Sequence, residues 1–367
     1  MIALLLLSMM GAAAVAVSSG LFEESEDTTA ATEQEINDQI AEADLARDLS
    51  LLEESDITEL EAALRDDPML ALDTEASEDE QLLPYQDTNN FASVEGTEGA
   101  DLIAIPEELG DGADAVFADA GDDVVLGNSA YNPIFGEAGD DLVFGMGGDD
   151  YLFGNEGDDT VAGGEGDDLL VGGDGSDLLY GGAGNDNIYD SRYQASYADE
   201  NRADVIVAGE GDDGVVIEDG INLVSLGEGA DHVQVYTESG DTPCAVITDF
   251  NPGEDSLLLG VYAPGVDLPD GQNALEISYK LSPIETELGP GTLIEPSLPE
   301  TMAPFEMSDD TSVGYAVVLG LRPEDLQGAD IRVVLQTDET DAYAPGGNRR
   351  SGRRAGRNAA IGSPRPA

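Results

Sequence analysis

Aspartate recurs at every ninth residue through the middle of the chain, at Asp141, Asp150, Asp159, Asp168, Asp177 and Asp186. A glycine stands two places before each of them, and an aliphatic residue two places after: Val143, Leu152, Val161, Leu170, Leu179 and Ile188. With Gly136 as position one, aspartate holds position six and the aliphatic residue position eight. The phase runs on in both directions through Asp114, Asp123, Asp204, Asp213 and Asp231, with Asn132, Ala195 and Asn222 as exceptions. An earlier block, Gly96 to Ala104, carries Asp101 and Ile103 but is offset by the residues Ile105 to Glu108. Regularly spaced carboxylates beside glycine-rich backbone are hard-cation chemistry. Calcium takes about six to eight oxygens, which carboxylates and main-chain carbonyls supply together.

Such carboxylates need a scaffold that repeats with them. Glycine admits the positive φ of a tight turn and leaves its carbonyl accessible. The three residues after each aspartate then form a short strand with position eight facing inward. Burying that one side chain stabilises by about 1.5–3 kcal/mol. Ordering each of nine residues costs about 1–2 kcal/mol. Burial alone loses, so bound metal must make up much of the difference and folding is expected to be coupled to calcium. The block Asp190 to Ala198, with Ala195 and Tyr197 in the key places, fits the period in length only and reads as a bulged or looped coil.

Gly163-Gly164-Glu165-Gly166-Asp167-Asp168-Leu169-Leu170-Val171 resembles the consensus of the repeats-in-toxin (RTX) family, G-G-x-G-x-D-x-U-x with U large and aliphatic. The resemblance implies an all-β chain built on a right-handed parallel β-roll, with two repeats per coil and calcium ions in the turns. Equivalent aspartates then stand eighteen residues apart, and the expected metal ligands are Asp123, Asp141, Asp150, Asp159, Asp168, Asp177, Asp186, Asp204, Asp213 and Asp231, holding roughly six Ca2+ ions. The expected pairs include Asp150/Asp168, Asp168/Asp186 and Asp213/Asp231, with Asp186/Asp204 conditional on the irregular block keeping its turn. Sites that include Asn132 or Asn222 lose a carboxylate and are expected to be weak or empty. Asp167, at position five, is expected to be mainly solvated.

The flanks divide the chain into an apolar segment (1–22), an acidic spacer (23–95), the roll (96–240), a capping β region (241–345) and a basic tail (346–367). Lys and Arg number 13 against 79 Asp and Glu, a net charge of −66. That excludes nucleic acid as a partner of the body, since phosphate binding needs a basic face. Ile2 to Phe22 carries no charge and is about as long as the roughly 20 residues that cross a bilayer. It is expected to be a short apolar helix serving as membrane anchor or export signal, and Ala14-Val15-Ala16 resembles a cleavage site. In the spacer, Ile36, Ile40, Leu45, Leu49 and Leu52 fall at near-helical spacing. Asp56 and Glu59 resemble a helix start and Pro68 a stop. Transient helices in a largely extended, solvated segment are expected. The tail holds Arg349, Arg350, Arg353, Arg354, Arg357 and Arg365 among Gly, Asn, Ser and Pro, and reads as disordered.

After the repeats, Val246 to Leu259 is expected to cover the open end of the roll with Phe250 and its leucines, followed by further strands to about Tyr343. Catalytic constellations are missing. A lone histidine excludes the zinc-protease pattern, and His232 reads as an exposed strand residue. Cys244 reads as a buried thiol. Gly209 to Gly214 fits G-x-G-x-x-G by accident, and its aspartates would repel a pyrophosphate. The expectation is a non-enzymatic calcium-binding protein, secreted or at the cell surface, with a structural or adhesive role. An exported hydrolase with the roll as accessory is the alternative.

Overall fold

The computed structural model describes residues 81–84, 94–106, 115–190, 203–218, 220–235, 244–262, 274–286, 288–297 and 312–336. Two long parallel ladders hold nearly all of them. The first sheet stacks β1 (Gln81–Pro84), β3 (Asp101–Ala104), β5 (Val124–Leu126), β7 (Leu142–Gly147), β9 (Thr160–Glu165), β11 (Leu178–Ala183), β13 (Val205–Glu210), β15 (Ile221–Glu228), β17 (Cys244–Ile247) and β22 (Tyr315–Leu319). The second stacks β2 (Val94–Thr97), β4 (Val116–Asp119), β6 (Pro133–Ala138), β8 (Tyr151–Glu156), β10 (Leu169–Asp174), β12 (Asn187–Tyr189), β14 (Gly214–Ile217), β16 (His232–Val235), β18 (Ser256–Tyr262) and β23 (Asp330–Gln336). The chain alternates between sheets up to β18, so each coil spends one repeat on each. That is the parallel β-roll, two repeats per coil, which the resemblance implied. The described residues contain no helix, hence none long and apolar enough to cross a membrane. The apolar helix expected over Ile2 to Phe22 lies outside the described residues, as does the tail from Gly346.

The core lies between the sheets, one side chain per repeat. Val125, Val143, Val161, Leu179 and Ile206 from the first sheet meet Ile134, Leu152, Leu170, Ile188 and Val215 from the second, all fully buried. Register across the regular coils is eighteen residues, as in Val143↔Val161 and Leu152↔Leu170. At the irregular block it becomes twenty-seven, with Leu179↔Ile206 and Ile188↔Val215. One extra repeat length of chain therefore lies between β12 and β13, and both ladders continue in phase across it.

Two boundaries differ from expectation. The first ladder begins at β1, inside the segment read as spacer. Val246 to Leu259 supplies β17 and β18 to the two ladders rather than closing them, and Phe250 is buried in the inner core. Beyond it, β19 (Ala274–Thr286) pairs with β23 through Ala274 to Ile277 and with β20 (Gly289–Ser297) from Ser278 onward. It thus joins one sheet to the other. Strand β20 lies antiparallel to β22, and the short β21 (Ser312–Val313) antiparallel to β18.

Candidate metal centre

In the regular repeats position four lies at a turn, and the turn explains its glycine. Gly157 has φ +137° and Gly166 +137°, where a side chain would be strained. A β-carbon on Gly157 would also collide with the carbonyl of Gly139 in the preceding coil. Neighbouring coils touch through bare backbone there, so the stack tolerates nothing larger.

Each turn delivers its position-six aspartate to a buried column. The carboxylate Oδ1 accepts a hydrogen bond from the main-chain N–H of the equivalent residue one coil earlier. One column runs Asp101, Asp123, Asp141, Asp159, Asp177, Asp204, Asn222, with bonds of 2.7–2.9 Å. The other runs Asn132, Asp150, Asp168, Asp186, Asp213, Asp231, Asp255, with bonds of 2.7–3.2 Å. All ten aspartates proposed from the sequence stand in these columns and are buried. The conditional pair Asp186/Asp204 does not form: Asp186 is followed by Asp213, and Asp204 follows Asp177.

Two residues escaped the sequence reading of the site. Asp101 heads one column and Asp255 ends the other. Asp255 was legible: Gly253-Glu-Asp255-Ser-Leu257 repeats positions four to eight. Both differ from the central members in hydrogen bonding. Asp101 Oδ2 accepts from Thr97 N–H, and Asp255 Oδ2 from Asn251 N–H.

The second oxygen is where the chemistry lies. Oδ2 of Asp123, Asp141, Asp150, Asp159, Asp168, Asp186 and Asp231 is buried with no hydrogen-bond partner. A buried carboxylate oxygen left unpaired is costly. Burial pushes these carboxyls up, with main-chain hydrogen bonding opposing it: Asp168 to about 6, Asp123 and Asp231 to about 7, Asp141 and Asp186 to about 8, Asp150 and Asp159 to about 9. Beside Asp168 Oδ2 lie Cα of Gly163 and the carbonyl oxygen of Gly181, so that a β-carbon on Gly163 would meet both oxygens. Gly145 is enclosed likewise by Asp150 Oδ2 and the Gly163 carbonyl. The turns at Gly136, Gly145, Gly163 and Gly181 therefore gather carboxylate and carbonyl oxygens, the donor set of a calcium site. Among the described residues no three His, Cys, Asp or Glu side chains converge on one point. Main-chain oxygens would have to complete any coordination shell.

The asparagines show the same position without the charge. Asn222 Oδ1 accepts from Asp204 N–H at 2.8 Å, while its Nδ2 donates to Asp190 Oδ2 at 2.8 Å. Asn132 Nδ2 donates to Asn128 Oδ1 at 3.3 Å. At both places the atom replacing Oδ2 finds a protein partner, and Asn132 Oδ1 accepts from Asn128 N–H within its own turn.

Position five is exposed at Asp167, as expected, but the side chain also makes a contact the sequence did not show. Asp167 Oδ1 accepts from Asn185 N–H at 2.9 Å and Asn185 Nδ2 at 3.0 Å, which lowers its pKa. Asp140 takes the N–H of Asp158, and Asp149 that of Asp167. These outer ladders run opposite to the inner ones: position five accepts from the coil after it, position six from the coil before. Periodicity alone could not show this, because the family pattern leaves position five open.

The remaining reactive side chains are placed away from these columns. His232 is half-buried, with Nδ1 2.7 Å from Ser256 Oγ, and burial lowers its pKa. Cys244 is a buried thiol pushed up to about 12.

A family model described as RTX calcium-binding nonapeptide repeat, in 4 copies, matches residues 109–131, 132–161 and 162–189. No curated protein matches the chain. The matched residues supply Asp123, Asp141, Asp150, Asp159, Asp168, Asp177 and Asp186 to the two columns, and residues 109–189 belong to the RTX calcium-binding repeats.

Proposed function

We propose that this chain is an exported calcium-binding protein whose roll folds on its ions and whose role is structural or adhesive rather than catalytic. The observation that carries the reading is the row of buried Oδ2 atoms without partners, those of Asp141, Asp150, Asp168 and Asp186 standing beside a main-chain carbonyl. The ions would be held between successive aspartates of one column, as between Asp150 and Asp168 or Asp168 and Asp186, with turn carbonyls completing the shell. The divalent charge would offset the repulsion among carboxylates and supply the stabilisation that one core residue per repeat does not. Columns ending at Asn132 and Asn222 would stop binding there. Strand β19, which joins the two sheets, would close the open end of the roll.

Export and a membrane tether are assigned to Ile2 to Phe22, and the structural role to the cell surface. Fractionation of cells expressing the full chain, with and without Ile2 to Phe22, tests this part. The full chain should travel with membrane or surface material and the truncated chain with the soluble pool. Identical distribution of the two would contradict the assignment.

A further inference from the structure

The two outer faces of the roll are unlike. On the first sheet the outward residues Leu142, Phe144 and Leu178 are buried. On the second sheet the outward residues meet solvent in two uncharged rows. Phe117, Phe135, Phe153, Val171 and Tyr189 stand opposite one another from β4 to β12 in one row, each half-buried. Pro133, Tyr151 and Leu169 stand side by side in the other, and Tyr151 is 46% exposed. Apolar surface left in water along successive strands marks a contact site.

Carboxylates border this strip on both sides. Where the chain enters the strands, Tyr131, Asp149 and Asp167 hold equivalent places at position five and are all exposed. The ring of Tyr131 lies 6.1 Å from that of Tyr151, so this edge adjoins the strip. Where the chain leaves the strands, Glu156 is exposed and pairs in register with Asp174, while Glu137 pairs with Asn155. We infer that the strip binds a basic, extended segment of another protein, about seven residues long, with Arg or Lys stems on the aromatic rows and their cationic heads at the two acidic edges.

Charge, area and ring geometry select that occupant. A strip that is apolar along its middle and acidic at both edges complements side chains with an apolar stem and a cationic tip. Its area is too small for a second copy of the chain. Strands β4 to β12 of the second sheet give ~24 Å of length, and two rows give ~10 Å of width. The resulting area of about 250 Å² falls well below the ~800 Å² that each partner of a stable dimer presents. A linear occupant fits better, since seven extended residues span ~24 Å. The rings argue against a saccharide. Phe117, Phe135 and Phe153 stack at 4.8 and 4.9 Å with their planes 8° and 17° apart. Their faces are taken up by one another, and a sugar ring needs a free face, whereas an alkyl stem packs on ring edges as well.

Fluorescence anisotropy of a labelled hepta-arginine peptide, titrated with the calcium-loaded full chain at about 0.15 M salt, tests the docking. The combined variant Phe135→Thr, Tyr151→Thr, Phe153→Thr keeps the net charge and should bind about tenfold more weakly. Asp149→Asn with Asp167→Asn, which retains Oδ1 for the outer ladder, should weaken binding about threefold or more. Glu165→Gln with Glu210→Gln removes as much charge from the ends of β9 and β13 on the first sheet, and should change affinity less than about twofold. Unchanged affinity in the threonine variant, or equal losses from the two carboxamide pairs, would mean that the −66 charge attracts any polycation, and would overturn the inference. Self-association of the calcium-loaded chain that the threonine variant abolishes would assign the strip to a second copy and overturn it equally. So would binding that appears only once residues 346–367 are removed, which would give the strip to the chain's own tail. Circular dichroism of each sample shows whether the roll is folded, so a folded roll that fails to bind contradicts the docking and leaves calcium-coupled folding untouched. If the threonine variant does not fold, the carboxamide pairs decide.

Discussion

Asp168 gives its main-chain N–H to Oδ1 of Asp186 at 2.8 Å, while its own Oδ1 receives the N–H of Asp150 at 2.7 Å. One carboxylate oxygen thus holds the coils in register, and the other is left for a cation. The two duties can be separated, because asparagine keeps Oδ1 and loses the charge, as Asn222 does in the parallel column.

Asp168→Asn should lower the number of bound calcium ions while leaving the metal-free roll no less stable. Asp168→Ala should lose both the ions and the ladder bond. Asp167→Ala should leave the ion number unchanged and weaken the roll slightly, to the same extent with and without calcium, because it removes only an outer ladder bond. Calorimetric calcium titration with thermal melts in chelator distinguishes the three. Equal ion loss in Asp167→Ala and Asp168→Asn would mean the acids act as a diffuse charge cloud.

Acid should partly replace calcium. The folded pKa values of Asp141, Asp150 and Asp186 lie at about 8 to 9 against 3.8 for the free side chain. In that interval the folded state binds more protons than the unfolded one, so stability falls as pH rises. The contribution is complete below the unfolded value and lost as pH climbs through about 8 to 9. In chelator, β structure measured by circular dichroism should be greater near pH ~5.5 than near ~8.5. Calcium-loaded protein should show the reverse trend, since protons compete for the ligands. Less β structure in chelator at the lower pH would contradict the burial of these carboxyls.

Position two offers a test of the turn itself. Asn155 has φ +86° and its buried Nδ2 has no partner, whereas Gly164 and Gly173 occupy the equivalent place without either cost. Asn155→Gly should stabilise the calcium-loaded roll by about 1 kcal/mol, after the added chain entropy of glycine. A lower melting temperature would show that the asparagine side chain holds something the turn needs.

Much of this was readable because a solenoid repeats its own constraints. Gly157 must be bare where coils touch, Asp159 must turn inward, and Val161 must fill the core, so one period carries turn, ligand and core together. Other features lacked a periodic signature. The register change from eighteen to twenty-seven puts one extra repeat length of chain between β12 and β13, which spacing alone does not force: Asp204 keeps the phase either way. The burial of Phe144 beside the exposure of Tyr151 was equally hidden. Both stand outward, and only the three-dimensional alternation of repeats assigns them to different sheets. Asp167 and Asp168 look interchangeable in sequence, yet their ladders run in opposite directions.

If the carboxylate columns are cation sites, the roll folds only when they are filled. Circular dichroism of the full chain, first in excess chelator and then through a calcium titration at neutral pH, tests it most directly. Little β structure is expected without metal, with a cooperative gain at about 10⁻⁴–10⁻³ M calcium and no equivalent gain with magnesium, whose small octahedral shell suits these turns poorly. A spectrum already fully β in chelator and unchanged by calcium would contradict it.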